Sequence, residues 1–152
     1  MNAFTMTNNE ALASIAIGYM TKKYGVISAA KSMLILPFIL HPQTVRKLRG
    51  SSLKRSLEEF IVKNPECFTS FNARFLDYLP TSVNTVTILR EMNIVQIHRD
   101  QIKFNYQSNF SPEYTRVVGK RAIDFFSAID ALVEIFRGQN ENSLYLKLKI
   151  EL

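Results

Sequence analysis

The residues with the clearest chemical potential form a cluster of positive charge. Five basic side chains fall between positions 46 and 55 with no acidic one among them: Arg46, Lys47, Arg49, Lys54 and Arg55. Residues 1–76 hold 10 basic and 4 acidic side chains and the second half is neutral, so the net charge of +6 belongs to the first half. Clustered cations attract phosphates and carboxylates. The cluster is therefore either a solvated surface, a sequence-independent contact for double-stranded DNA, or a docking patch for an acidic partner.

Residues that serve catalysis or bind metal are few and scattered. His41 and His98 have no Cys or carboxylate cluster near them, and the five glycines are isolated, so no phosphate-binding loop is predicted. Cys67 is followed by Phe68 and has no basic neighbour, which predicts an inert thiol. We expect no enzymatic activity, no cofactor, no metal site and no small-molecule substrate.

Length and composition predict an ordinary globular protein. With 152 residues, of which 47% are hydrophobic, the chain is predicted to form a single domain over 1–152. Its longest apolar run, 33–40, is far shorter than the roughly 20 residues that cross a bilayer. The N-terminus lacks the pattern of a signal peptide, and one cysteine fits a reducing compartment. These features predict a cytoplasmic location without membrane contact.

The cluster must be held by a helical N-terminal part, predicted over 1–63. A capping box at 7–10 begins a helix that Gly25 ends, and the apolar stretch 29–40 predicts a buried helix disturbed by Pro37. A short basic helix follows. The Ser51-Ser52 pair is predicted to cap the next helix.

The middle part, 64–107, has the pattern of a winged helix-turn-helix. Helices are predicted to start at Asn64-Pro65 and at Pro80-Thr81, and alternating apolar residues at 95–106 predict a β-hairpin with its turn near Arg99-Asp100. The second helix offers Asn84 near its start and Arg90-Glu91 near its end, which is a poor surface for reading bases. Protein contact is therefore the favoured use. The wing residues Arg99 and Lys103 are weak candidates for phosphate contacts.

The last part, 111–152, is predicted to hold a long helix, from Ser111 to Arg137, and a terminal strand. Apolar residues at alternating spacings of four and three form a seam along the helix: Val118, Ala122, Phe125, Ile129, Leu132 and Phe136. The seam is either core or a partner-binding face. Strict alternation over 144–152 predicts a half-buried strand, which joins the hairpin or a partner's sheet. The predicted fold class is α+β, mainly α.

In the order and spacing of its packing and capping residues, the chain resembles the small middle component of bacterial three-component ABC systems, the accessory subunit of Lamassu-type anti-phage and anti-plasmid defence. The resemblance rests on Asn8-Asn9-Glu10-Ala11-Leu12, Leu36-Pro37, Leu40-His41, Thr44, Ser52-Leu53, Asn64-Pro65, Arg74, Pro80 and Lys120-Arg121-Ala122.

The resemblance implies an adaptor. In such systems an SMC/Rad50-like ATPase with a coiled coil senses foreign DNA, and an effector subunit, often a nuclease, is held in check until then. A middle component would bridge the two, and any DNA contact would be made through the complex. The alternative hypothesis is a stand-alone winged-helix DNA-binding transcription regulator, which requires sequence-specific binding.

Overall fold

The computed structural model describes residues 3–50, 56–114 and 119–152, which form eight α-helices and three strands. The elements are, in chain order, α1 (Ala3–Tyr24), β1 (Val26–Ser28), α2 (Ala29–Ser32), α3 (Ile35–Ile39), α4 (Pro42–Gly50), α5 (Leu57–Lys63), α6 (Phe71–Glu91), β2 (Val95–His98), β3 (Gln101–Phe104), α7 (Lys120–Arg137) and α8 (Glu141–Lys147). Two 3-10 turns, Pro65–Cys67 and Pro112–Tyr114, precede α6 and α7. The mainly helical α+β class predicted from the sequence is confirmed.

Helix α1 is the central element, because it packs against α6, α7, α3 and β3. The short helix α3 is entirely buried beside it. Phe38 of α3 contacts Phe71 of α6 and Phe136 of α7, with ring centroids 4.8 and 5.8 Å apart. Pro37 is tolerated because it is the third residue of α3, where a backbone N–H would have no partner inside the helix. The buried stretch predicted over 29–40 is thus two short helices, α2 and α3.

The predicted hairpin is confirmed. Strands β2 and β3 are antiparallel with Val95 opposite Phe104, and the tight turn between them has Arg99 at φ 55°. The third strand of the sheet is β1, which pairs with β3 on its other side. Gly25, at φ 90°, ends α1 and turns the chain into β1, as the sequence predicted for the helix end.

The predicted break at Pro80 is wrong. Helix α6 runs without interruption from Phe71 to Glu91 with Pro80 inside it, and the Asn64-Pro65 signal starts only a 3-10 turn. Pro80 is exposed, so water can reach the carbonyl that its missing N–H leaves free. Phe75 on one side of it and Leu89 on the other are buried, and their packing holds the two halves in one helix. The helix-turn-helix arrangement of a winged helix is therefore not confirmed.

The predicted C-terminal strand is also wrong, because residues 141–147 form helix α8. The Asn140 side chain accepts the backbone N–H of Ser143 at 2.8 Å and caps the helix. Leu144 and Leu148 are both buried, whereas Leu146 is 79% exposed. Leu144 and Leu148 are four residues apart, so they lie on the same face of a helix as well as on the same face of a strand.

Helix starts differ from the prediction at three further places. Helix α1 begins at Ala3, four residues before the predicted capping box. The side chain of Ser56 caps α5 by accepting the Glu59 N–H at 3.1 Å, while Ser51 and Ser52 lie outside the described residues. Helix α7 begins only at Lys120. Among the described residues no helix is long and apolar enough to cross a membrane.

Candidate functional site

Helix α4 positions the three described residues of the basic cluster. His41 precedes it and its Nδ1 lies 2.7 Å from the Thr44 hydroxyl, so the two side chains brace the first turn. Val45 and Leu48 are buried on the inner face of the helix. The outer face carries the exposed side chains of Arg46, Lys47 and Arg49. The basic helix predicted from the sequence is thus confirmed, and Lys54 and Arg55 lie outside the described residues.

A groove of about 350 Å³ runs between α4 and α7. Its lining residues are Ile39, Pro42, Val45, Arg46, Arg49, Asp124 and Phe125. Its floor is apolar and its rim is charged. We call it the α4–α7 groove.

An ion pair crosses one end of the α4–α7 groove. Arg49 Nη1 lies 3.2 Å from Asp124 Oδ1, and both side chains are partly exposed, so the pair adds little to stability. The described residues offer no acidic side chain to Arg46 or Lys47 at ion-pair distance. Asp124 was not predicted from sequence, because 75 positions separate it from Arg49 and no local pattern links them.

The predicted wing residues lie on a different element from the groove. Arg99 is at the hairpin turn and Lys103 is on β3, and both are exposed. The hairpin packs against α1, α6 and β1, whereas α4 packs against α3 and α7. The cations on the hairpin and those on α4 are thus carried by separately packed parts of the fold.

The predicted seam of α7 belongs to the core. Phe125, Ile129, Leu132 and Phe136 are each at most 2% exposed, because α7 is enclosed by α1 and α4. A partner-binding face built from these four side chains is therefore not present, and Val118 lies outside the described residues. Ile123 of α7 is instead the large apolar side chain on the outer surface, with 54% exposed.

Helix α6 presents an apolar surface that the sequence reasoning missed. Leu76 is 45% exposed and Val83 is 52% exposed, and they stand seven residues apart on one helix face. Pro80, also exposed, lies between them. The predicted break at Pro80 assigned these two residues to different helices, which hid the stripe.

The chain matches the model of a known protein family. Residues 6–152 match the family described as ABC-three component (ABC-3C) system Middle Component 3. The chain belongs to this family. No curated protein and no solved structure matched it. The resemblance to a middle component is thereby confirmed, and the Lamassu type stays a prediction.

Partly buried polar side chains of this middle component hold its elements together. Arg74 donates from Nε to the Pro37 carbonyl at 3.2 Å and from Nη2 to the Cys67 carbonyl at 2.8 Å. Burial lowers the pKa of His41, and the Arg74 charge adds to the effect. Burial likewise raises the pKa of the Cys67 thiol, in keeping with the inert thiol predicted.

The described part of the middle component holds no cluster of three or more His, Cys, Asp or Glu that would suit a metal ion. The alternative hypothesis of a winged-helix transcription regulator depended on a turn at Pro80 and a separate DNA-recognition helix after it. Both of these segments lie within the continuous helix α6. The described surface of the middle component carries the α4–α7 groove and the Leu76–Val83 stripe beside other exposed apolar side chains, such as Val62 and Leu146.

Proposed function

We propose that this middle component is a non-catalytic adaptor that joins an SMC/Rad50-like ATPase to an effector subunit, often a nuclease, in a Lamassu-type defence complex of the prokaryotic cytoplasm. The family match over residues 6–152 carries the proposal, since the family is described as one component of a three-component system. An adaptor works by binding, so its surface must hold contact sites for other proteins.

Two surface features support this role. The Leu76–Val83 stripe leaves two apolar side chains half exposed on one face of α6, where a partner could cover both. The α4–α7 groove lies on other elements, because α4 packs against α3 and α7 whereas α6 packs against α1 and α3. Two separate features suit a subunit that touches two partners.

Contact with duplex DNA is proposed to be sequence-independent and to be made by the assembled complex. The cations available for it are Arg46, Lys47 and Arg49 on α4 with the neighbouring Lys54 and Arg55, and more weakly Arg99 and Lys103 on the hairpin. Each phosphate neutralised would contribute about −0.9 to the slope of log affinity against log salt.

The proposal is tested by co-expressing the tagged chain with the other two components of its system. We expect both to be retained at micromolar concentration. A double substitution, Leu76→Ser with Val83→Ser, is expected to release one of them.

Its matched control shifts both changes by one residue along α6. Asp77→Ser with Asn84→Ser alters exposed polar positions of the same helix and is expected to leave retention unchanged. Absence of both components from the wild-type eluate would contradict the adaptor role. Equal losses in the two double variants would remove the Leu76–Val83 stripe from the contact.

A further inference from the structure

We infer that the α4–α7 groove binds a segment of a partner protein in which an apolar side chain stands beside a carboxylate. The inference rests on the proposed adaptor function and goes beyond it by naming the docking site and the chemistry of its occupant. The partner is one of the other components of the same system.

The floor of the groove selects an apolar side chain. The floor residues Ile39, Val45 and Phe125 are 1%, 7% and 2% exposed, so they belong to the hydrophobic core and are fixed by its packing. The volume of about 350 Å³ is at the lower end of the roughly 300–1,000 Å³ typical of ligand pockets. It has room for one or two side chains of a peptide segment.

The rim of the groove selects one carboxylate. Arg46 and Arg49 stand three residues apart on α4, which places them on one face of the helix. Arg49 is already paired with Asp124, whereas Arg46 has no acidic partner among the described residues. A partner carboxylate can pair with the guanidinium of Arg46 by two parallel hydrogen bonds.

Duplex DNA fits this surface less well than a protein does. A phosphate backbone binds through several cations on an accessible surface, and its sugars and phosphates cannot fill an apolar recess. The ion pair of Arg49 with Asp124 leaves Arg46 as the groove cation without an acidic partner among the described residues, and a phosphate backbone needs several such cations. Lys47 is exposed, as Arg46 is, but it does not line the groove. Lys47 therefore distinguishes the two kinds of partner, because DNA would use it as readily as Arg46 and the groove occupant would not.

The test therefore compares Arg46→Glu with Lys47→Glu, which make the same change of charge one residue apart. The dissociation constant of each variant for the purified components is measured, and binding to a labelled duplex DNA of random sequence is measured in parallel. We expect Arg46→Glu to weaken partner binding by about tenfold or more and Lys47→Glu to change it by less than about twofold. Equal weakening by both variants, or no weakening by either, overturns the inference, and equal loss of DNA binding alone assigns the cluster to DNA.

A second measurement does not depend on the folding of a charge variant. Benzoylphenylalanine placed at Pro42, an exposed groove residue, is expected to cross-link one component on illumination, whereas the same group at Lys47 is not. Cross-linking from neither position, or from both alike, overturns the groove. If the wild-type chain retains both components while Arg46→Glu also retains them at full affinity, the groove fails and the adaptor function stands. If the wild-type chain retains neither, both fail.

Discussion

Replacing Pro80 by alanine should stabilise the protein, because Pro80 lies inside a helix that continues on both sides of it. In a helix interior proline is about 3 kcal/mol less favourable than alanine. Proline also restricts the unfolded chain, so replacing it with alanine stabilises the unfolded state by about 1 kcal/mol. Because the native helix has already adjusted to the ring, we expect a net gain of about 1–2 kcal/mol in the free energy of unfolding.

The control for this prediction is Pro42→Ala. Pro42 is also exposed but is the first residue of α4, where an N–H would have no partner inside the helix. Alanine at this position only makes the unfolded chain more flexible, so we expect the free energy of unfolding to fall by about 0.5–1 kcal/mol. The two substitutions of the same residue type should therefore act in opposite directions.

The assay is urea unfolding followed by far-ultraviolet circular dichroism, with a thermal scan. Pro80→Ala should raise the midpoint temperature by roughly 3–6 °C at unchanged urea m-value. A neutral or destabilising Pro80→Ala, matching Pro42→Ala, would refute the reasoning. It would mean that the chain breaks at Pro80 and that two helices, as in a helix-turn-helix, lie there.

Three other perturbations test the packing around the groove and core. Arg74→Ala should lower the free energy of unfolding by about 2–4 kcal/mol in urea, since two backbone carbonyls lose their donor; a loss under 1 kcal/mol would contradict the clamp. Gly18→Ala should destabilise, because the added Cβ would lie 2.5 Å from the ring of Phe110, and Phe110→Leu in the same chain should recover part of the loss. The lowered pKa of His41 contributes stability above pH 6.5, and this contribution is lost as the pH falls through the folded-state pKa. The wild-type protein should therefore lose more stability than His41→Gln between pH 7 and 5. Equal dependence of stability on pH in the two proteins would contradict this prediction.

The sequence predicted the elements whose signals are local. Helix α4 starts at a proline and carries its cations on the outer face, and the hairpin alternates around the turn at Arg99-Asp100; the structure confirms both. Burial of 29–40 was also predicted, because an apolar stretch of that length is expected in the core of a globular protein.

The failures occurred where tertiary packing outweighed a local signal. Pro80 is a helix breaker by propensity, but packing on both sides of it carries α6 through. The leucines at 144 and 148 fit a strand and a helix alike, and the Asn140 cap decides for the helix.

The α4–α7 groove was out of reach from sequence for a different reason. It exists only because α4 and α7 pack together, which brings Asp124 to Arg49 across 75 positions of chain. The sequence could identify the cations of α4 and leave DNA and an acidic protein as their two partners. Only the apolar floor and the ion pair at the rim favour a protein segment over DNA.

The adaptor role is tested most directly by reconstituting the complex with and without this chain. The other two components are purified separately, mixed at micromolar concentration and passed over a size-exclusion column coupled to light scattering. We expect all three proteins to co-elute when the chain is present and the other two components to elute apart when it is omitted. Co-elution of those two in its absence would contradict the bridging role.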